Sequence, residues 1–451
     1  MALTKFEVVF TKERILSASG LAIVGQMLGK SDFVKRVNRI PVNPKRSEPQ
    51  IKDGDILLTY IGLLCQGKTE YEAVKEMLDD ADYYVIALGL TRAVPSAETL
   101  RQRMDDIADS LRNKILQANV DMFRAHGIEV GALESGHVAI DIDVSTFDNS
   151  KTKKEGVSRT YMGYDGLAPI FAYMGTQGFL LNAELREGKQ HSQKGTPEFL
   201  KETLALAHQI TDKPLLVRLD SGNDAQENLG ILMEDGSWFI VKRNLRKETR
   251  EGWWLEMMNC CQDIRHPRDG KVVYVGSSWK PISYKNTVGE TINKTIRIGY
   301  EIIERTIDKH GQVLLMPDIE VNTWWTNLDW NDQAIIDSYH AHAECEQLHS
   351  EIKTDMDVER LPSGKFGTNA LVLELTIIAY NLLRMIGQES LKHKPDAKKV
   401  VKRRRIRTVI QNLMLIGSHI TRHARKIRMG LGSSNVWREA FQQIYYRFCM
   451  V

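Results

Sequence analysis

The run His137–Val144 (HVAIDIDV) constrains the fold more than any other segment. Apolar and acidic residues alternate along it and β-branched residues are frequent, so it reads as a strand. Side chains alternate across a strand, so Asp141 and Asp143 point one way and Ile140 and Ile142 the other. A second run, Pro214–Asp220 (PLLVRLD), is almost wholly apolar and also ends in an acid, as a buried strand would. Around them, Ala168–Tyr173, Phe179–Arg186 and Ser237–Arg243 read as strands, and Pro197–Thr211 and Asp224–Met233 as helices. Three strands, a helix, a strand, a helix and a strand make an α/β core.

The flanks differ. Residues 1–130 read as a helical region, with Asp53–Gln66, Glu70–Asp79 and a long amphipathic stretch Ala97–His126 entered through Ser96 as N-cap. The core's first part spans 131–244. Residues 245–320 break its rhythm. They alternate, carry Thr, Val, Ile and Tyr, and turn at Arg268-Asp269-Gly270 and Val288-Gly289, which predicts a β-rich insertion. Asn331–Thr354 then reads as a strong helix and Asn369–Ile386 as a buried one, within a second part of the core over 321–390. Residues 391–451 read as a basic helical region.

Lys and Arg number 61 against 58 Asp and Glu, so net charge alone marks no partner. Locally the balance is different. Between Gln388 and Arg428 lie 13 basic residues (392, 394, 398, 399, 402, 403, 404, 405, 407, 422, 425, 426 and 428) against Glu389 and Asp396. Lys30–Arg46 holds six more against Asp32. Such blocks contact polyanions or form solvated faces, and beside a helical domain they point to DNA. A charged fraction of 26% argues against a membrane protein, and the apolar stretch Leu371–Ile386 is interrupted by Glu374, Asn381 and Arg384. Five cysteines without a CxxC pair fit a reducing cytoplasm, and no signal peptide is visible at the N-terminus.

The candidate chemistry lies with the acids. Asp143, with Asp141 as a possible second acid, and Asp220 sit near strand ends, where they share a pocket or merely cap the surface. At about 100° per residue from Tyr339, His342 falls at about −60°, Glu346 at −20° and Lys353 at −40°, one narrow helical stripe. That stripe is either an exposed salt-bridging face or the third wall of a site. Three carboxylates near one point repel and would bind divalent cations, with oxygen ligands suiting Mg²⁺ or Mn²⁺. Two such ions activate a water or 3′-hydroxyl and stabilise the leaving oxygen at a phosphodiester.

Several segments together resemble a DDE transposase, within that class the insertion-sequence 1380 family. They are DIDVST (141–146), YMGYDGLAPIFAYMGTQGFLLNAELREGKQ (161–190), VRLDSG (217–222), YHAHAECEQLHSEIK (339–353), NALVLELTIIAYNLLR (369–384) and RRRIR (403–407). PSAETLRQR (95–103) resembles the family's N-terminal stretch. The resemblance implies an RNase H-like core interrupted by the β-rich insertion, a helical N-terminal DNA-binding region and a basic C-terminal region. It implies a catalytic, metal-binding triad of Asp143, Asp220 and Glu346 with two Mg²⁺ or Mn²⁺ ions. Tyr339, His342, Glu346 and Lys353 match a Tyr-x2-Arg-x3-Glu-x6-Lys signature, with His342 where Arg is usual. Tyr339, His342, Lys353 and Arg218 would position phosphates, and Arg403, Arg404 and Arg405 would contact DNA. Seven of eight tryptophans lie between 238 and 330, and Trp253 or Trp254 is the candidate to stack on a base flipped from the element's end. The expected partners are terminal inverted repeats and target DNA, with a homodimer to bring two ends together, in the cytoplasm and with no membrane.

Two other motifs compete. Gly62–Thr69 matches GxxxxGK[ST] literally, but it reads as a buried helix end, with Gly67 closing it and Thr69 and Glu72 as a capping box for the next helix. His342, Glu346 and His349 at i, i+4 and i+7 have the spacing of a zinc site but lack a second ligand cluster. A nuclease of the same fold and a catalytically silent DNA-binding protein are the remaining alternatives.

Overall fold

Alternating residues in the middle of the chain form strands, and apolar stripes on either side form helices. The computed structural model describes residues 7–38, 49–108, 111–261, 263–394, 400–424 and 426–449. Of the basic positions above, Arg39, Lys45, Arg46, Lys398, Lys399 and Arg425 lie outside the described residues. The chain divides into two units, one of Met1–Ile107, Asp355–Asp357 and Ala379–Val451, the other of Ala108–Thr354 and Val358–Ile378.

The first unit begins with β1 (Ile15–Leu16), α1 (Leu21–Lys30), α2 (Phe33–Asn38), α3 (Asp53–Leu64), α4 (Lys75–Leu78), α5 (Ala81–Leu88) and α6 (Ala97–Ile107). Buried Asp55 accepts the Thr91 amide at 2.9 Å and its hydroxyl at 2.7 Å, which ties α3 to the loop before α6. Ser96 caps α6, accepting the Thr99 amide at 3.2 Å. The literal phosphate-loop match is a helix end: α3 stops at Leu64, Gly67 takes φ +71°, and the Lys68 amide donates to the Leu63 carbonyl at 3.1 Å. The expected Thr69 cap is not made. The Thr69 hydroxyl donates to the Asp357 carbonyl at 3.3 Å, and a 3₁₀ turn starts at Tyr71 behind Glu70.

The second unit opens with α7 (Arg112–Ala125), so the amphipathic stretch 97–126 is two helices rather than one. There follow β2 (Val138–Val144), β3 (Phe147–Asp148), β4 (Ser158–Arg159), β5 (Asp165–Leu167), β6 (Ile170–Met174), β7 (Phe179–Glu184), α8 (Thr196–Ala207), β8 (Leu215–Leu219), α9 (Gln226–Asp235), β9 (Trp238–Lys242) and α10 (Arg250–Met257). The insertion supplies β10 (Asp263–Arg268), β11 (Lys271–Lys285), β12 (Thr291–Ile307) and β13 (Val313–Thr326), and α11 (Asp332–His340) and α12 (Glu344–Ser350) come next.

The result is mixed α/β with one large sheet, in the order β10-β11-β12-β13-β9-β8-β2-β6-β7, beside a small sheet of β3, β5 and β4. β2, β8 and β9 are parallel, while β6 runs against both β2 and β7. The insertion is continuous with the core sheet, because β13 pairs with β9 from Trp324–Lys242 to Thr326–Ile240. The β11–β12 ribbon also rests on α9. Gly230 allows this approach, since a Cβ there would stand 2.3 Å from the Tyr284 ring.

Helix α13 (Phe366–His393) starts in the second unit and ends in the first. By length and composition it could cross a bilayer, but 94% of its apolar window is buried within the protein, as in a core helix. The first unit resumes with α14 (Ile406–Val409), β14 (Ser418–His423), β15 (Lys426–Leu431) and α15 (Arg438–Cys449). The basic region read as helical therefore contains a β-hairpin. The alternation in HITRH and KIRMGL is the period-2 signal for it.

Candidate active site

β2 and β8 pair in parallel up to Ile142–Leu219, so Asp143 and Asp220 stand side by side just past the last paired residues. Burial and then the charge of Asp143 push the Asp220 carboxyl above its ordinary value. Asn223 donates to Asp220 Oδ1 at 2.6 Å. Asp143 accepts its neighbour's amide, from Val144, at 2.8 Å. Its Oδ2 lies 3.2 Å from His349 Nε2, and His349 Nδ1 lies 3.1 Å from the Tyr173 hydroxyl. With the tyrosine donating to Nδ1, the Nε2 proton is directed at Asp143.

Asp141, one pleat earlier, has quite different surroundings. Arg218 Nε donates to Oδ1 at 2.5 Å and an Arg218 terminal nitrogen to Oδ2 at 2.7 Å, a bidentate pair. His342 Nδ1 adds a contact at 3.0 Å. Burial pushes the Asp141 carboxyl up, but Arg218 and His342 outweigh it and hold it at about 2. Burial works against the His342 imidazolium, yet the Asp141 hydrogen bond and charge raise its pKa overall. The His342 Nε2 atom is buried without a hydrogen-bond partner. Asp141, His342 and Cys345 are also a group of potential ligand atoms within 4.8 Å of one another. With both Asp141 oxygens on Arg218, that group is a hydrogen-bonded brace.

The helical stripe faces β2, though the expected single helix is interrupted by a 3₁₀ turn at Ala341–Ala343 and followed by a π turn at Glu351–Asp355. His342 and His349 both reach β2 acids. Lys353 donates to the Thr146 carbonyl at 2.7 Å and pairs with Glu359 at 3.2 Å. Tyr339 packs on Trp324 and His342, and burial, then the charges of Asp220 and Asp143, raise its phenol pKa. Glu346 lies between the two histidines in sequence and is exposed. Thus Asp143 and Asp220 come together, while Glu346 remains open to solvent on the same stripe.

Other expected contacts are engaged inside the protein. Trp253 is buried, donates to Glu248 at 2.7 Å, and lies under Arg243 and Lys280. Trp254 donates to Glu304 at 3.2 Å. The tryptophan that stands in solvent is Trp279, 63% exposed. Arg405 binds Asp355 at 2.8 and 3.0 Å, Arg404 lies over Trp437, and Arg403 is half-buried. Sequence reasoning missed Tyr173 and Tyr161 and assigned His349 only to zinc. Tyr161 is 68% exposed but its hydroxyl donates to the Val144 carbonyl at 3.2 Å, and local desolvation there, with the Asp143 and Asp220 charges, raises its phenol pKa.

A family model described as transposase DDE domain group 1 matches residues 2–449. The chain belongs to this family. It is a DDE transposase, an enzyme of DNA transposition. A piggyBac transposase synaptic complex with hairpin DNA, solved by cryo-electron microscopy, is similar at 11% identity, covering 88% of this chain and 80% of that chain with a TM-score of 0.40. No curated protein matches. DDE transposases generally use divalent metal ions. The donor set of this transposase fits one: Asp143 and Asp220 offer hard carboxylate oxygens whose mutual repulsion a cation would relieve.

Proposed function

We propose that this transposase, as a member of the insertion-sequence 1380 family, binds terminal inverted repeats, cleaves the DNA there and joins the freed 3′ ends to a target. The observation that carries the reading is the Asp143–Asp220 pair at neighbouring ends of parallel strands. The order β7-β6-β2-β8-β9, with β6 reversed, supports an RNase H-like core over 131–244 and 321–390, split by the insertion at 245–320. Residues 1–130 would recognise the ends and 391–451 would add basic contacts. Two copies would bring two ends together on cytoplasmic DNA.

Asp143 and Asp220 would hold Mg²⁺ or Mn²⁺, and the exposure of Glu346 leaves it available to complete the set. Such ions, when bound, would supply an activated nucleophile and neutralise the leaving oxygen. His349, backed by Tyr173, orients Asp143. Asp141 favours the cationic form of His342, in which its partnerless Nε2 donates to a phosphate where Arg is usual. Arg218, engaged on Asp141 and on the Ser338 carbonyl, acts through that brace. Tyr339 and Lys353 flank the phosphate path.

The test is incubation with labelled DNA bearing the inverted repeats that flank the gene, with and without Mg²⁺, beside Asp220→Ala. Metal-dependent cleavage at the repeat boundary, lost in the variant, is expected. Normal strand transfer by Asp220→Ala overturns the mechanism. Cleavage without joining identifies a nuclease, and binding without cleavage a silent DNA-binding protein.

A further inference from the structure

We infer that the hairpin β14–β15 is a DNA-gripping ribbon whose outer face, bearing Lys426 and Arg428, lies against the phosphates of duplex DNA. This rests on the proposed DNA function and names, within the basic region 391–451, the element and the face that make the contact. Directly opposed residues of an antiparallel pair share a face. The register pairs Ser418 with Leu431, Ile420 with Met429 and Arg422 with Ile427, and Ile420, Met429 and Leu431 line a cleft with Phe441 and Tyr445 of α15. That is the inner face. The outer face pairs His419 with Gly430, Thr421 with Arg428 and His423 with Lys426, and every one of these residues is exposed.

The ribbon contains no acid anywhere from Ser418 to Leu431. Among the described residues neither Lys426 nor Arg428 makes an ion pair. The two cations stand on one face of one strand, about 7 Å apart, and so repel. Within the described fold no acid offsets that repulsion, whereas an external polyanion would. The shape suits duplex DNA. β1 pairs with β14 at Leu16–Ser418 and Ile15–His419, and the Ile420 amide donates to the Arg14 carbonyl at 3.0 Å, so beyond Ile420 the hairpin is a two-stranded ribbon. The major groove of B-DNA admits such a ribbon. The Arg403–Arg405 segment differs, with Arg404 and Arg405 turned to Trp437 and Asp355. The competing explanation is that charges on β15, an edge strand, discourage edge-to-edge aggregation.

The experiment measures binding of the full chain to short labelled duplexes, one carrying the inverted repeat and one scrambled, across a salt series. Lys426→Ala/Arg428→Ala is expected to weaken both duplexes alike and to reduce the slope of log affinity against log salt by about 2, because phosphate contacts carry no sequence. Lys426→Glu/Arg428→Glu keeps a charged edge and is expected to bind far more weakly while staying soluble with an unchanged melting temperature. Lys201→Ala/Lys213→Ala, exposed in the second unit, should leave the slope unchanged. A wild-type slope in the hairpin variants, with the wild-type chain binding and cleaving normally, overturns this surface and leaves the transposase reading intact. So does aggregation of the glutamate variant with unaltered affinity of its soluble fraction. A wild-type chain that binds neither duplex overturns both.

Discussion

Asp141 and Asp143 are two residues apart on β2 and point the same way, yet the two halves of the site built around them differ in kind. The inner half neutralises its acid: Asp141 is held by Arg218 and His342 and is driven toward full ionisation. In the outer half, Asp143 faces another carboxylate, and Asp220 is driven toward its protonated form. An acid saturated by cations is a brace, whereas an acid facing another acid is, in the proposed function, a cation ligand. Alternation along the strand cannot distinguish them, because the distinction comes from Arg218 on β8 and His342 after α11.

The largest effect expected is on chemistry. Asp143→Asn and Asp220→Asn should each reduce metal-dependent cleavage on the order of 10³-fold or more, with duplex binding retained in a shift assay. Near-normal cleavage in either would collapse the outer half of the comparison. Next comes stability. Asp141→Ala leaves buried Arg218 without its carboxylate partner and should cost about 3–5 kcal/mol in urea unfolding. Asp143→Asn relieves repulsion, so metal-free protein should unfold at the same or higher urea. Equal losses from both would show that the halves are alike.

The pH dependence of metal-free stability should separate them more finely. Asp141 has a depressed folded pKa, so its contribution, roughly 2 kcal/mol, is present above the ordinary carboxyl value and lost as pH falls toward about 2. Asp220 has a raised one, so its folded form retains a proton the unfolded chain has lost. Stability then declines as pH rises from the ordinary carboxyl range through the raised value. Asp141→Asn should erase the acid-side loss and Asp220→Asn the decline above it. The same limb vanishing in both variants would refute the assignment. The smallest effect belongs to His349→Gln, which should lower metal affinity or cleavage by about 10-fold while hardly changing the melting temperature. An unchanged metal titration would reduce His349 to packing between Phe171 and Tyr173.

The core was legible where one period governed one segment. β2, β8 and β9 follow from apolar runs, and Ser96 and Gly67 marked helix ends where they occur. What failed was set by partners far along the chain. No glycine or proline announces the 3₁₀ turn at Ala341–Ala343, which makes two helices of one. The count of positive charges hid the alternation of the C-terminal hairpin, and it did not foresee that Arg405, still exposed, pairs with Asp355, fifty residues earlier. Trp253 and Trp254 were the plausible stacking pair, but their indole N–H groups are directed to Glu248 and Glu304.

The seam between β13 and β9 gives the insertion a mechanical character. Beyond Arg297 the β11–β12 ribbon overhangs that seam by about six residues, roughly 20 Å. It bears on α9 where Tyr284 meets Gly230. This is a lever with its fulcrum on α9 and its long arm running back through β13 to β9, the neighbour of the strand that leads into Asp220. A load on the turn at Asn286–Gly289 would reach that aspartate as strain in a ladder of backbone hydrogen bonds.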